Sequence, residues 1–418
     1  MIERVLVSEL GEHVGEEVRL AGWVHRIREL GAVSFVLLRD RSGLGQLVYE
    51  GKADVGNESV VLVSGTVQEN EKAPGGYELH VAHTQLLAGA AAAELPVSVN
   101  GDPDALGIES LLDNRILSLR MPRVRSIFNI QATIVDAFAD YLRQNGFTEI
   151  KSSKLIGSGT EGGTGLFTVD YFGDRVYLAQ SPQFYKQAMV ASGMERVFEI
   201  GAAYRAEKHD TPRHLNEYVS LDVEMGFISG HEDLMDLETG LLSHIFAAVA
   251  ERNAADLDAF GATVPTAEEM AAAPRIDHEE AKRIISERGG KKVFEINPEG
   301  ERLLCAWAQE TAGVPAVFVS AFPRKKRPFY TYPEGQKTRS FDLLFRGLEI
   351  TTGGQRIHEY GMLLDTLPKF GLTEEGLGDY CSIFKYGCPP HGGFAIGLER
   401  LTQQILGLAN VKEASLFP

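Results

Sequence analysis

The sequence predicts an α+β protein in which a small N-terminal β-barrel of the OB type precedes a larger domain of strands and helices. Residues 1–90 contain short apolar runs separated by glycine-containing turns, which is typical of a small barrel. Between Val124 and Leu142 the apolar residues recur at helical spacing. Between Val197 and Met225 apolar and polar residues alternate on both sides of a charged loop, which predicts two antiparallel strands.

Composition and charge exclude several classes of protein. The 418 residues are 44% hydrophobic with a formal net charge of −17, which suits two or three domains around a large core. No run of about 18 apolar residues occurs, so we expect no membrane span, and MIERVLVSEL lacks the apolar region of a signal peptide. The three cysteines are scattered without a C-x-x-C motif, which argues against disulfides or zinc and fits a cytoplasmic location. The negative charge argues against non-specific nucleic-acid binding, so we expect no DNA partner, although a specific RNA partner is compatible with it.

The N-terminal segment divides into five short strands, contained in the runs EEVRLAGWVHRIREL, AVSFVLLRDRSGLGQLVYE, SVVLVSGTVQEN and GYELHVAHTQLLA. Aromatic and polar side chains fall on adjacent strands of this segment, namely Trp23, His25, Arg28, Phe35 and Gln46. Such a face can stack on unpaired bases and hydrogen-bond to their edges. The alternative is a barrel that serves only as a spacer.

Small, polar, Pro- and Gly-bearing residues follow the barrel and predict a linker over residues 91–115. The second domain is then expected over 116–418. Its first long helix ends at Gly146, and FTEI begins a strand. Residues 229–313 are rich in Ala and Glu and predict a mostly helical insertion or cover in which we find no chemistry.

The stretch Tyr204–Phe227, YRAEKHDTPRHLNEYVSLDVEMGF, concentrates charge around aromatic residues in an order that suggests a nucleotide site. Arg205 at a strand end can clamp a phosphate, and Glu207 can accept a hydrogen bond from an exocyclic amine. Tyr218 can stack on a base, and Arg213 follows a turn. The alternative is a charged hairpin on the surface.

A second stretch, GGFAIGLERLTQQIL from Gly392 to Leu406, is a glycine-rich strand that leads into an amphipathic helix with Arg400 near the junction. Glycines allow a backbone to approach a ligand closely, and Arg400 can sandwich a base against Tyr218. The chain has no G-x-x-x-x-G-K-[ST] loop, so a P-loop site is not indicated.

Two further stretches carry candidate ligands for a small substrate. The glycine-rich loop GSGTEGGTGLFTVDYF contains Glu161 and can close over a ligand. In QSPQFYKQ, Gln183 and Lys186 follow a strand-to-helix junction. The alternative for Lys186 is a solvated lysine on the surface of the helix. Near the C-terminus Asp342 and Glu349 are seven residues apart, with Thr352 and Arg356 after them.

Together these motifs resemble the class II aminoacyl-tRNA synthetases. Motif 2 of that class is similar to YRAE with RHLNEY, and motif 3 is similar to GLERL. Further similar runs are TEGG, QSPQFYKQ, RPFYTYP and FDLLFRGLEITTGGQRIH. Together they make the chain look like aspartyl-tRNA synthetases of the archaeal-type branch over nearly its whole length. The Lys in QSPQFYKQ separates it from asparaginyl-tRNA synthetases. The resemblance implies an anticodon-binding OB-fold, a catalytic domain on a six-stranded antiparallel sheet with flanking helices, a homodimer, and use of ATP and Mg²⁺. Ser153 stands where the family usually has Pro, and Thr352 where it usually has Ser.

The resemblance also implies roles for individual residues. The catalytic residues are expected to be Arg205, Glu207 and Arg400. L-Aspartate is expected to contact Glu161, Gln183, Lys186, Arg205, Thr352 and Arg356. ATP is expected to contact Arg205, Glu207, Arg213, His214, Leu215, Tyr218, Glu349, Gly397, Leu398, Glu399 and Arg400. Mg²⁺ is expected at Asp342, Glu349 and Thr352. The anticodon is expected to contact Arg28, Phe35, Gln46 and Glu78.

Two positions bear on the choice of tRNA. The family members that charge only tRNA(Asp) have a pattern similar to W-V-W in the first strand and a Lys in a later turn. This chain has His25 at the position of the second Trp and Pro74 at the position of the Lys. Proline removes a cation and a backbone donor. We therefore expect charging of both tRNA(Asp) and tRNA(Asn), with an amidotransferase as a functional partner. The alternatives are an enzyme restricted to tRNA(Asp), an inactive tRNA-binding paralogue, and a paralogue that makes asparagine.

Overall fold

The computed structural model describes residues 4–92, 94–157, 159, 165–208 and 211–418. They form two compact units, residues 1–125 and 126–418. The first unit thus includes the segment 91–115 that the sequence predicts to be a linker. None of the helices in the described ranges is long and apolar enough to cross a membrane.

The first unit is built on a barrel. Its strands are β1 Glu17–Leu30, β2 Val33–Arg39, β3 Leu44–Glu50, β4 Val60–Glu69 and β5 Tyr77–Ala88. Within the described residues these five strands close in the order β1–β2–β3–β5–β4, with β3 and β5 parallel. Alternate residues such as Val18, Leu20, Val36, Leu38 and Leu47 fill the interior, as the period-two pattern predicts. The predicted OB-type barrel is therefore confirmed.

The register of β1 against β2 shifts between Val24 and Arg26. Such an irregularity is a β-bulge, which re-aims a side chain. Val24 and His25 are consequently both buried although they are adjacent in sequence.

The remaining strands of the described chain are β6 Thr148–Glu149, β7 Leu155–Ile156, β8 Thr168–Tyr171, β9 Asp174–Leu178, β10 Arg196–Tyr204, β11 Glu217–Gly226, β12 Arg275–Asp277, β13 Ala316–Ser320, β14 Pro333–Glu334, β15 Lys337–Thr338, β16 Ser340–Phe345, β17 Leu348–Arg356 and β18 His391–Gly397. The α-helices are α1 Ile108–Asp113, α2 Arg115–Ser118, α3 Pro122–Gln144, α4 Gln183–Met189, α5 Glu232–Arg252, α6 Ala254–Asp258, α7 Ala267–Ala271, α8 His278–Gly289, α9 Pro298–Ala312, α10 Tyr360–Thr366, α11 Gly378–Lys385 and α12 Leu398–Leu406.

The central sheet has the order β12–β13–β16–β17–β18–β11–β10–β6 among the described strands. The six inner strands, from β13 to β10, are antiparallel to their neighbours, as the resemblance implies. The two short edge strands β12 and β6 pair in parallel, which the resemblance does not predict. The sheet is therefore antiparallel in its centre and mixed at both edges.

Helices cover both faces of this sheet. Ala316 and Phe318 of β13 belong to the core shared with α3 and α5, whereas Val317 and Val319 belong to the core shared with α8 and α9. Because successive strand residues point to opposite faces, the two helix pairs lie on opposite sides of the sheet. The predicted 229–313 helices therefore divide between both faces and carry part of each core.

Candidate active site and nucleic-acid interface

A cavity lies against strands β11, β17 and β18 and the start of α12. It is lined by Arg205, Glu207, Arg213, His214, Leu215, Tyr218, Ser220, Glu349, Ile350, Thr352, Ala395, Gly397, Glu399, Arg400 and Val411. The structure thus brings together every residue predicted to contact ATP except Leu398, whose buried side chain does not line the cavity. Both stretches that suggested a nucleotide site meet here because β11 pairs with β18.

The cations of the cavity are held by specific partners. The Arg205 guanidinium carbon lies 5.7 Å from the centre of the Tyr218 ring, within cation–π range. Arg400 donates from Nε to the Arg213 carbonyl at 3.2 Å and from Nη1 to the Glu349 carbonyl at 3.0 Å. Arg400 therefore ties the loop after β10 to strand β17, and both ends of this connection line the cavity.

Glu399 fastens α12 to the sheet. Its carboxylate accepts from the Val219 backbone N–H at 3.1 and 3.2 Å. Burial raises the pKa of Glu399 to about 7, although the Val219 N–H lowers it. The side chain borders the cavity, but its oxygens are already engaged with the protein backbone.

The side chains predicted to hold Mg²⁺ lie on paired strands. Asp342 on β16 stands opposite Thr352 on β17, and the Thr352 hydroxyl donates to Glu349 Oε1 at 3.2 Å. Burial raises the pKa of Asp342 to about 7, a shift that Arg327 opposes and Glu349 reinforces. Arg327 Nη2 lies 2.7 Å from Asp342 Oδ1, so a cation compensates this carboxylate. Two hard carboxylates and a hydroxyl fit Mg²⁺, which takes one or two carboxylates together with substrate phosphates.

The predicted aspartate ligands Lys186 and Arg356 converge on a buried carboxylate that the sequence interpretation missed. Arg356 donates from Nε to Glu224 Oε1 at 3.0 Å, and Lys186 Nζ lies 3.3 Å from Glu224 Oε2. Lys186 also donates to Asp222 Oδ1 at 3.0 Å. Burial alone would raise the pKa of Glu224, but Arg356 and Lys186 outweigh it and lower the pKa. Asp222 and Glu224 alternate with apolar residues in SLDVEMG, and this pattern is the signal that could have identified them.

A hydrogen-bonded relay orients Gln183. His391 lies 2.9 Å from the Pro389 carbonyl through Nδ1, which therefore carries the proton. Burial lowers the pKa of His391 to about 4, so its Nε2 is an acceptor and receives the Gln187 amide N–H at 2.8 Å. The Gln187 oxygen then accepts from Gln183 Nε2 at 3.0 Å and from the Tyr380 hydroxyl at 3.1 Å. The Gln183 amide nitrogen is therefore already hydrogen-bonded within the protein. Glu161, the remaining predicted aspartate ligand, lies outside the described residues.

A second cavity, on the barrel, contains most of the predicted anticodon ligands. It is lined by Arg26, Arg28, Leu30, Phe35, Leu37, Gln46, Asn70, Lys72 and Pro74. Arg28 and Phe35 are cross-strand neighbours on β1 and β2. Sequence reasoning missed Asn70 and Lys72, which come from the turn after β4 and supply a donor and a cation.

Glu78 is buried beneath this second cavity rather than lining it. It accepts from Gln46 Nε2 at 2.8 Å, from Asn70 Nδ2 at 2.6 Å and from His80 Nε2 at 2.9 Å. Burial by itself would raise the pKa of Glu78, but these hydrogen bonds together outweigh burial and lower the pKa. Glu78 therefore fixes the Gln46 and Asn70 amides.

His25 does not line the barrel cavity. The bulge in β1 turns it into a buried network in which Arg39 Nη1 donates to His25 Nδ1 at 2.7 Å. Arg39 also forms a two-point ion pair with Glu58, at 3.0 and 2.7 Å, and Arg120 reaches Glu58 at 2.9 Å. The structure thus places Pro74 on the cavity wall, whereas His25 lies in the buried Arg39–Glu58 network.

Comparison with known proteins agrees with this geometry. A model described as tRNA synthetases class II (D, K and N) matches residues 107–418, and one described as an OB-fold nucleic acid binding domain matches residues 18–87. The chain is 48% identical, over all of its length and 97% of the relative, to the aspartate–tRNA(Asp/Asn) ligase of Deinococcus radiodurans. It is 49% identical to the ligase of the same description from Thermus thermophilus, over 99% of this chain and 98% of the relative. Among solved structures, asparaginyl-tRNA synthetase from Pyrococcus horikoshii complexed with asparaginyl-adenylate is similar at a TM-score of 0.90 and 30% identity, over 100% of this chain and 98% of that one.

Proposed function

The chain belongs to the class II tRNA synthetases of the aspartate, lysine and asparagine group, and on that basis we propose that it ligates L-aspartate to tRNA through an aspartyl-adenylate. The observation that carries the choice of amino acid is the convergence of Lys186 and Arg356 on Glu224. Two buried cations with fixed positions suit a side-chain carboxylate. Arg356 is on β17, the strand that also carries Glu349 and Thr352 of the nucleotide cavity.

The reaction has two steps. The α-carboxylate oxygen of aspartate attacks the α-phosphorus of ATP, and the bond to pyrophosphate breaks. A terminal ribose hydroxyl of tRNA then attacks the aspartyl carbonyl, and AMP leaves with its bonding electron pair. Both steps need reactants to be positioned and charge to be neutralised, rather than a protein nucleophile.

The cavity supplies these requirements from its own side chains. Arg205 contacts the α-phosphate, and Glu207 accepts from the adenine amine. Tyr218 and Arg400 enclose the adenine, while Arg213 with His214 holds the outer phosphates. Glu349 and Thr352 of the cavity, with Asp342 on the neighbouring strand β16, would hold Mg²⁺, which would supply charge neutralisation for the phosphates.

Selection against asparagine follows from the two cations. Lys186 and Arg356 offer only donors, so a carboxylate is complementary to both. The amide of asparagine would direct an N–H group at a cation and leave one donor unpaired. Such a site discriminates by several kcal/mol, because an unpaired buried polar group is costly.

We propose that the barrel, residues 1–90, binds the anticodon and that residues 116–418 form the catalytic domain. Phe35 stacks on a base, and the Gln46 amide, fixed by Glu78, bonds to a base edge. Pro74 on the cavity wall leaves out the cation that would otherwise bias the choice of tRNA, and His25 replaces the larger Trp of members restricted to tRNA(Asp). Both tRNA(Asp) and tRNA(Asn) are then charged, and a tRNA-dependent amidotransferase converts the aspartyl group on tRNA(Asn).

A homodimer is supported by a shallow apolar groove on the second unit. Its walls are Phe128, Gln131, Ala132, Val135, Asp136, Ala139, Arg143, Glu149, Ile200, Leu398 and Leu416. Seven of these eleven residues belong to α3, whose opposite face fills the core through Ile127, Ile130 and Ile134. A helix that also carries apolar residues on the face away from the core is suited to a second partner that covers them.

ATP–pyrophosphate exchange tests the proposal. We expect exchange that depends on aspartate and is at least ~100-fold weaker with asparagine, in line with several kcal/mol of discrimination. Exchange that depends on asparagine, or none with either amino acid, would contradict the proposed function.

A further inference from the structure

Glu301 lies directly behind the nucleotide cavity, although it belongs to the helical segment 229–313 in which the sequence shows no chemistry. It is in the first turn of α9, and only 9% of the residue is exposed. Its side chain pairs with Arg213, which lines the cavity, whereas Glu301 itself does not. The carboxylate therefore acts on the cavity through groups that line it, the first of which is Arg213.

One oxygen of Glu301 serves two groups of the site. Oε2 accepts from Arg213 Nη2, and it also accepts from the backbone N–H of Glu349 at 3.2 Å. Glu349 is a predicted Mg²⁺ ligand, and Arg213 is a predicted ligand of the outer phosphates. A single buried oxygen thus fixes the arginine relative to the strand that carries the metal-binding carboxylate.

The helix that carries Glu301 is itself firmly placed. Asn297 caps α9 by accepting from the Gly300 N–H at 2.9 Å, and Pro298 occupies the first turn. A Cβ on Gly300 would lie 2.9 Å from Ile285 Cδ1 of α8, so the two helices approach closely at this point. The Arg213 backbone is fixed as well, since Arg400 donates to its carbonyl at 3.2 Å. Both ends of the Arg213–Glu301 pair are therefore anchored.

We propose that Glu301 is a positioning residue for the outer phosphates of ATP and for pyrophosphate, and that it acts by orienting the Arg213 guanidinium. A guanidinium is a planar fork of five N–H donors, so holding Nη2 from behind directs the remaining donors into the cavity. This assignment rests on the proposed function for the identity of the ligand. It assigns a role to a residue outside the recognisable motifs.

The consequence is selective for phosphates beyond the α position. Removing the carboxylate frees Arg213 to adopt other rotamers, so affinity for ATP and pyrophosphate falls. AMP has no outer phosphates, and its affinity does not change. Glutamine keeps an acceptor oxygen of the same reach, so it preserves most of the effect.

Binding of ATP, pyrophosphate and AMP to the full chain, measured by calorimetry or competition, tests the inference in Glu301→Ala, Glu301→Gln and a control, Glu299→Ala. Glu299 lies in the same helical turn but is exposed and 3.7 Å from Lys291. We expect Glu301→Ala to weaken ATP and pyrophosphate ~10-fold and AMP less than ~2-fold, as loss of one oriented charge-assisted contact implies. Glu301→Gln should stay within ~3-fold of the parent chain, and Glu299→Ala should match it.

Equal weakening of AMP and ATP would assign Glu301 a general structural role and overturn the inference, as would unchanged ATP binding in Glu301→Ala. Because these affinities are measured without amino acid, they do not depend on aspartate being the substrate. A parent chain that binds ATP but shows no aspartate-dependent exchange would contradict the proposed function. The ATP, pyrophosphate and AMP affinities of the Glu301 variants would still test the role of Glu301.

Discussion

Arg356 and Glu224 form a two-point ion pair in the interior of the sheet, with Nε–Oε1 at 3.0 Å and Nη2–Oε2 at 3.3 Å. They come from strands β17 and β11, which lie on either side of β18. Buried charges persist only when they are paired and hydrogen-bonded. Glu224 therefore holds Arg356 in place before the substrate arrives, and Lys186 shares the same carboxylate.

Replacing Lys186 with leucine should raise the KM for aspartate and lower kcat/KM at least ~100-fold, because a buried charge-assisted contact is lost. Aspartate-dependent pyrophosphate exchange measures this effect. Lys151→Leu is the matched control, since Lys151 is an exposed lysine paired with Glu149. Exchange with an unaltered KM for aspartate in Lys186→Leu would show that Lys186 does not contact the substrate.

The relay behind Gln183 gives a second prediction. Gln187→Leu leaves the Gln183 amide free to rotate, so the KM for aspartate should rise ~10-fold while the KM for ATP stays constant, since one oriented hydrogen bond is at stake. Tyr380→Phe is a milder control, because it removes one of the two donors to Gln187 and keeps the bond to Gln183. Parallel increases in both KM values would refute a role confined to the amino-acid pocket.

Phe35→Ala should weaken aminoacylation of tRNA by ~10- to 100-fold, because stacking on an aromatic ring contributes about 1–3 kcal/mol per base. Pyrophosphate exchange without tRNA should remain near the parent rate. Leu86→Ala, which removes an exposed side chain of β5 away from the barrel cavity, serves as the control. Equal losses in exchange and in tRNA charging would indicate a folding defect instead.

Glu238 on α5 predicts a pH dependence of stability. Complete burial, reinforced by Asp342, raises the pKa of Glu238 from 4.5 to about 8. Between these two values the folded chain holds a proton that the unfolded chain has released, so the free energy of unfolding falls as pH rises, by about 1.4 kcal/mol per unit at most. The stabilising effect is complete below pH 4.5 and is lost as pH rises to about 8.

Glu238→Gln removes this titration while keeping the shape of the side chain. The Tm of the variant relative to the parent chain should therefore increase between pH 5 and pH 8. Glu251→Gln, at an exposed position of the same helix, should show no such trend. A Tm difference for Glu238→Gln that is constant with pH would disprove the assignment of a protonated Glu238.

The sequence predicted the elements whose signal is local. Alternation around Leu221 and Val223, and the helical spacing of Ile127, Ile130 and Ile134, gave the central hairpin and the first long helix with little error. Of the two parallel edge strands, β6 lies within FTEI, where a strand was predicted, whereas β12, which is only Arg275–Asp277, escaped prediction. Runs this short have no periodicity to detect.

The missed site residues depend on contacts between distant parts of the chain. Glu301 meets Arg213 across 88 positions, and Gln187 meets His391 across 204. His25 was expected on the face that meets nucleic acid, but a bulge turned it inward, and bulges have no reliable sequence signal here. The motifs predicted the groups that we expect to contact the substrates, whereas the groups that orient them became visible only in the fold.

Aspartylation of purified tRNA(Asp) and tRNA(Asn) transcripts by the full chain tests the central claim most directly. We predict that labelled aspartate is attached to both, with kcat/KM values within ~100-fold of each other, or about 2.7 kcal/mol, and that labelled asparagine is attached to neither. His25→Trp combined with Pro74→Lys should reduce charging of tRNA(Asn) more than that of tRNA(Asp). A preference for tRNA(Asp) beyond ~100-fold would contradict charging of both tRNAs, and failure to attach aspartate to either transcript would contradict the ligase itself.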